Sequence, residues 1–331
     1  MGQLTSKYNA FRRATIMAAT ALSVVTFLTP DSYAGGNKHR EIFHVTPDSK
    51  ALIKEFNRAS SHGKKPPVLV IETQVGNFDF HTAEQQRRAL SLLRNDDSNI
   101  PTDIQLALYH TTLDGPIPMD FFERMGKIEN RSFDLDARNK HTKACGLFQI
   151  TPALQLQLMA EQGNKFPEPY KTIASHTESY VARKDAKGRP IYSFRVKKGF
   201  DKKEVMKSCE DPVMNTLLTR EYILYNAERL KDEMPKRKLT YTDIYLAHFL
   251  DAPNAARFIR LAENPKTHFH RASDYFKQEA RRNKGMFYTS KGHPRSFTQI
   301  YDHIKSIMSD KVINLDGAER VSSIAPQNGL S

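Results

Sequence analysis

One carboxylate stands where its neighbours could tune it for proton transfer. Glu129 closes a stretch of helical spacing, Met119 to Asn130, in which Phe121, Phe122, Met125 and Ile128 mark an apolar stripe. It falls four residues after Met125 and seven after Phe122, on the flank of that stripe. Partial burial on such a flank disfavours the charged form and raises the pKa, as a general acid working near neutral pH requires. An exposed glutamate at a helix end is the competing reading, since flank positions are often solvated. Asp134 and Asp136 come shortly after, where loop capping competes with any chemical role.

Other chemistry finds less support. His268-Phe269-His270 alternates histidines without the nearby carboxylates or cysteines that a metal site needs, so no metal is expected. No glycine-rich phosphate loop, Ser-His-Asp signature or H-E-x-x-H pair occurs.

The segment C-terminal to Glu129 is more specific. After Asn130 and Arg131 come Ser132-Phe133-Asp134-Leu135-Asp136-Ala137-Arg138-Asn139 and then Ala144-Cys145-Gly146-Leu147-Phe148-Gln149-Ile150-Thr151-Pro152. Downstream lie Asp211-Pro212 through Asn226, then Tyr245-Leu246-Ala247-His248-Phe249-Leu250, then Asn283-Lys284-Gly285-Met286-Phe287-Tyr288 with Pro294-Arg295-Ser296. In this order the blocks resemble the lysozyme-like domain of soluble lytic murein transglycosylases, from about Pro101 to Met308. Three departures stand out: Asn130-Arg131 precedes the serine that usually comes directly after the glutamate, Phe148 replaces a common methionine, and Asp251 replaces a common glycine.

The resemblance implies a mainly α, lysozyme-like (α+β) helical domain with a small mixed N-terminal region. It also implies a cofactor-free glycan lyase that cleaves the β-1,4 bond after N-acetylmuramic acid and leaves a 1,6-anhydro ring. Glu129 would be acid and then base. Gln149 would hydrogen-bond an acetamido or hydroxyl group, Phe148 would line the cleft, and Tyr245 and His248 would face it from an opposite helix. The apolar flanks of Tyr245 and His248 suit core positions equally well. A hydrolytic muramidase with Asp134 or Asp136 positioning water, and a non-catalytic peptidoglycan-binding module, are the alternatives. Both cysteines fall within the resembled domain, so a Cys145–Cys209 bridge fixing the Gln149 loop to the next long helix is one expectation; two separate buried thiols is the other.

The elements that must position these residues are mostly helical. Apolar periods predict helices over Thr102–Tyr109, Leu154–Ala160, Pro212–Met234, Thr242–Leu250, Ala255–Ala262, Ser273–Lys284 and Ser296–Met308. Along Pro212–Met234, Met214, Leu217, Leu218, Tyr222 and Tyr225 mark one buried face. The domain is placed at residues 100–310, with a basic insertion near 164–207 in which Tyr192–Val196 alternates like a hairpin strand. Residues 35–99 combine a helix near Ser49–Ala59, a strand at Val68–Ile71 and a helix at Thr82–Leu93, and carry no chemical motif. The polar stretch Asn95–Asn99 marks the boundary, and 311–331 reads as a flexible tail.

The 331 residues carry 50 Lys and Arg against 37 Asp and Glu, a formal charge of +13. Lys7, Arg12 and Arg13 precede the apolar run Ala14–Leu28, and Ser32-Tyr33-Ala34 comes next, the pattern of a cleaved secretory signal over residues 1–34. That segment holds three cations and one anion, so the remainder stays strongly basic. The expectation is a periplasmic or secreted protein, with no stable membrane span after cleavage, whose partner is an anionic wall glycan rather than nucleic acid.

Overall fold

In the computed structural model, residues 42–47, 50–62, 67–94, 99–113 and 115–315 are described. The expected signal segment and the Asn95–Ser98 part of the boundary lie outside them. Fourteen α-helices and five short strands occur among the described residues, so the fold is mainly α. None of these helices is long and apolar enough to cross a membrane.

The N-terminal part is a three-stranded sheet. Strand β1 (Ile42–Val45) runs parallel to β2 (Val68–Glu72), joined by helix α1 (Lys50–His62), and β3 (Asn77–Phe80) returns antiparallel to β2. The sequence gives no signal for β1 and β3, because four residues are too short for a period to register. Thr82 and Gln85 form a capping box that starts α2 (Ala83–Leu92). The sheet joins the helical body through α3 (Thr102–Thr112), where Phe80 stacks on Tyr109 and His110 Nε2 lies 3.0 Å from Asp79.

Helix α8 (Pro212–Glu233) is the central pillar, capped by Asp211 with a proline in its first turn. Every residue from Pro212 to Thr219 is buried, so the expected single apolar face is corrected to burial all round at its start. The polar residues there are satisfied locally: Thr216 and Thr219 hydroxyls donate to the carbonyls of Pro212 and Asn215, at 2.6 and 2.7 Å. Around it pack α3, α5 (Pro152–Gln162), α9 (Tyr241–Leu250) and α10 (Ala252–Glu263). Helix α4 (Met119–Glu129), which carries Glu129, packs against α3 and against α14 (Phe297–Met308).

The insertion adds the short helix α6 (Tyr170–Ala174), an antiparallel hairpin of β4 (Thr177–Lys184) and β5 (Pro190–Val196), and α7 (Lys202–Lys207). Two other expectations are corrected. The helix read over Ser273–Lys284 is three pieces, α11 (Ala272–Tyr275), α12 (Lys277–Arg282) and α13 (Lys284–Phe287), broken at Phe276 and Asn283. At Phe276 the backbone leaves the helical region (φ −123°, ψ 58°) and the ring packs between Phe258 and Phe297. The start of the tail is not loose either. Lys311 O accepts from Tyr241 N (2.9 Å) and Ile313 N donates to Leu239 O (3.0 Å), while Lys311 Nζ pairs with Asp120.

Candidate active site

Glu129 is the last residue of α4 and is partly buried. Burial raises its pKa from 4.5 to about 7, opposed by one hydrogen bond: Tyr245 Oη donates to Glu129 Oε1 at 2.7 Å. Tyr245 comes from α9, 116 residues away, and is itself almost fully enclosed. Burial and the adjacent carboxylate push its own pKa well above 10, so it stays protonated and acts as a donor. Near pH 7 the pair therefore offers a carboxyl group that both gives and regains a proton, held by a neutral phenol.

His248 lies one turn beyond Tyr245 on α9. Its ring meets Tyr222 edge to face at 5.4 Å, and its buried Nδ1 has no hydrogen-bond partner among the described residues. Desolvation lowers its pKa to about 4, so it is neutral at pH 7. It stands beside Tyr245, ring centroids 6.2 Å apart.

The chain immediately after Glu129 is organised by Asn130, a buried residue. Its Oδ1 accepts from Ser132 Oγ and Asp134 N, both at 3.1 Å, and its Nδ2 donates to Asp134 O at 2.6 Å and, more weakly, toward Gly146 O at 3.5 Å. The departure from the resembled pattern at this position thus supplies the turn's internal support. Phe133, at φ 53°, folds back onto the helix so closely that a Cβ at Gly126 would lie 2.6 Å from its ring. Asp134 Oδ1 accepts from Asp136 N at 3.0 Å, a turn-capping role, and neither aspartate is hydrogen-bonded to Glu129.

A second clamp holds the segment carrying Gln149. Cys145 and Cys209 are disulfide-bonded, with Cα atoms 6.0 Å apart and a separation of 64 positions in sequence. Beside the bridge, the fully buried Asn215 on α8 accepts from Phe148 N at 2.9 Å and donates to the carbonyls of Cys145 (3.3 Å) and Cys209 (3.1 Å). Gly146 passes so near that a Cβ would sit 2.2 Å from Cys209 O, and its φ of 76° favours glycine independently.

The expectation that Phe148 lines a cleft is corrected: it is fully buried, its ring 5.4 Å from that of Phe122 on α4. With its N–H held by Asn215, the ring points inward, where it ties the loop to the helix bearing Glu129. Gln149 is partly exposed, at φ 51°. Its amide nitrogen donates to Gly146 O at 3.0 Å and toward Ala137 O at 3.4 Å, leaving the amide oxygen as the group available to a ligand.

Asp251 adopts φ 67° between α9 and α10, a conformation natural to the glycine of the resembled pattern, and its carboxylate caps α10 at Asn254 N (2.9 Å). His268 and His270 are used locally, His270 Nδ1 contacting Tyr275 Oη at 2.8 Å and His268 Nδ1 contacting Asn264 O at 3.2 Å. Among the described residues, no group of three or more His, Cys, Asp or Glu is placed to hold a metal ion. The supporting roles of Asn215 and Asn130 are not legible in the sequence, where the one signal is a polar residue set within or directly after an apolar helical run.

No protein-family profile matches this chain.

Proposed function

We propose that this chain is an exported peptidoglycan lytic transglycosylase of lysozyme-like fold, with Glu129 as its general acid and base. The observation that carries the proposal is the Glu129–Tyr245 pair: one carboxyl group, desolvated to a pKa near 7, hydrogen-bonded to a phenol rather than to a second carboxylate. Conventional glycosidases divide acid and base or nucleophile between two carboxylates at a defined separation. A site built on one suits a reaction in which the substrate supplies its own nucleophile.

The steps balance without water. Protonated Glu129 gives its proton to the bridging oxygen as the C1–O4 bond between N-acetylmuramic acid and N-acetylglucosamine breaks, and the substrate's acetamido oxygen shields C1. The carboxylate so formed is held by the Tyr245 hydroxyl. It then takes the proton of the sugar's 6-hydroxyl as O6 bonds to C1, which closes the anhydro ring and restores the acid. The amide oxygen of Gln149 is the group offered to an acetamido N–H or a hydroxyl.

Mass spectrometry of purified sacculi digested by the wild type and by Glu129→Gln tests this. Products ending in 1,6-anhydro rings, lost in the variant, are expected. Reducing ends, one water heavier, would assign a hydrolytic muramidase; binding without products from either protein would assign a wall-binding module.

A further inference from the structure

The β4–β5 hairpin is a surface apart from the Glu129 site. Six large apolar side chains are exposed among the described residues; three of them, Tyr180, Val181 and Tyr192, lie in this hairpin, and a fourth, Phe200, follows it and stacks on His176. Isolated exposed apolar residues need no explanation, but such clustering does. The hairpin is rooted, not loose: Thr177 at its base is buried, Lys197 N donates to His176 O at 2.8 Å, and both strands pack on α5. Toward the tip, residues 179–190 are all exposed apart from the half-buried Asp185.

Charge is arranged with the same bias. The hairpin's two anions are consumed within it, Glu178 by Arg195 (2.8 Å) and Asp185 by Arg189 (2.7 Å). Arg183, Lys184, Lys187 and Lys198 remain exposed, without ion-pair partners among the described residues. Arg195 also lies over the Tyr180 ring, 4.8 Å from its centroid, which holds that ring in place.

We propose that this hairpin docks the protein onto anionic glycan strands, sugar rings resting on Tyr180 and Tyr192 and the free carboxylates of the stem peptides meeting the lysines. The identity of the glycan rests on the proposed transglycosylase activity. The ribbon's geometry disfavours a lipid surface. Tyr180 stands opposite Ser193, and Val181 opposite Tyr192, so the two tyrosines occupy opposite faces. The tip, Asp185–Arg189, is polar and cross-braced by Asp185 bonds to Lys187 N and Arg189 N. An element that lies in a membrane interface gathers its apolar side chains on one face. A strand of alternating sugars and carboxylates can be gripped from both faces.

The test is sedimentation of full-length protein with purified sacculi, in the Glu129→Gln background so that no substrate is consumed, against a parallel series with phosphatidylglycerol vesicles. Tyr180→Ser/Lys184→Gln/Lys187→Gln/Tyr192→Ser should bind sacculi about tenfold more weakly, through lost stacking and lost screened charge contacts. Lys184→Gln/Lys187→Gln, which leaves the ribbon's packing intact, should lose a smaller part. The charge-matched control Lys236→Gln/Lys266→Gln should bind as the parent does. Undiminished binding by the fourfold variant, an equal loss in the control, or hairpin-dependent binding to the vesicles in preference to sacculi would each overturn the proposal. Hairpin-dependent binding to sacculi, combined with no anhydro product from the chain with Glu129 intact, would support the docking surface and reject the proposed activity.

Discussion

The hydroxyl of Tyr245 donates to Glu129 Oε1 across 2.7 Å, joining the end of α4 to the middle of α9. This bond opposes the burial that lifts the glutamate's pKa, so Tyr245 sets both the orientation of the acid and the pH at which it is charged.

With Glu129 at a pKa near 7, kcat/KM on solubilised glycan should fall as pH rises above about 7, because the proton donor is lost. Tyr245→Phe removes the bond that favours the carboxylate, so the alkaline limb should move to higher pH. The rate at pH 6 should drop roughly ten- to a hundredfold, as the carboxylate formed during reaction loses a charge-assisted bond. A Tyr245→Phe profile superimposable on the wild type would dismiss this role.

The same burial has a stability consequence. Between pH 4.5 and about 7 the folded protein retains a proton on Glu129 that the unfolded chain has released, so stability falls as pH rises through that interval. Glu129→Gln should therefore match the wild type near pH 4 and exceed it above pH 7 by on the order of 2–3 kcal/mol. Urea denaturation of both proteins at the two pH values measures the difference; a constant gap would show that the carboxyl is solvated.

Asn215 should be costly to replace although it touches no reacting atom. Asn215→Ala strips the partner from Phe148 N and from two carbonyls at the disulfide, a loss of about 2–3 kcal/mol for buried groups left unmade. Gly146→Ala should cost at least as much, since its Cβ collides with backbone at a positive φ. Thermal melting gives both values.

The Cys145–Cys209 bridge closes a long loop, and Cys145→Ser/Cys209→Ser should lower stability by about 2–4 kcal/mol. Thiol labelling of the denatured, unreduced wild type should find no reactive cysteine. Because the bridge backs the segment carrying Gln149, the double variant should lose activity before it loses its fold, read as a fall in kcat/KM at temperatures where circular dichroism is unchanged.

Local signals decided most of the elements. The Asp211–Pro212 start, the apolar periods of α4, α10 and α14, and the alternation of Tyr192–Val196 are properties of neighbouring residues, and the chain folds there as its own periodicity directs. The position of Glu129 on the flank of an apolar stripe was legible for the same reason. Whether that flank is solvated was not, because the answer depends on α9 arriving 116 residues later with a tyrosine aimed at the carboxyl. Phe148 turns inward where Asn215 holds its N–H, and the helix expected over Ser273–Lys284 is broken at Phe276, whose ring packs on the distant Phe258 and Phe297. Lys311–Ile313, without a period of its own, is ordered by backbone bonds to Leu239–Tyr241. Periodicity encodes which face of an element is apolar; the partner that meets that face, and hence the burial, pKa and hydrogen bonds of a site, exists only once distant segments pack together.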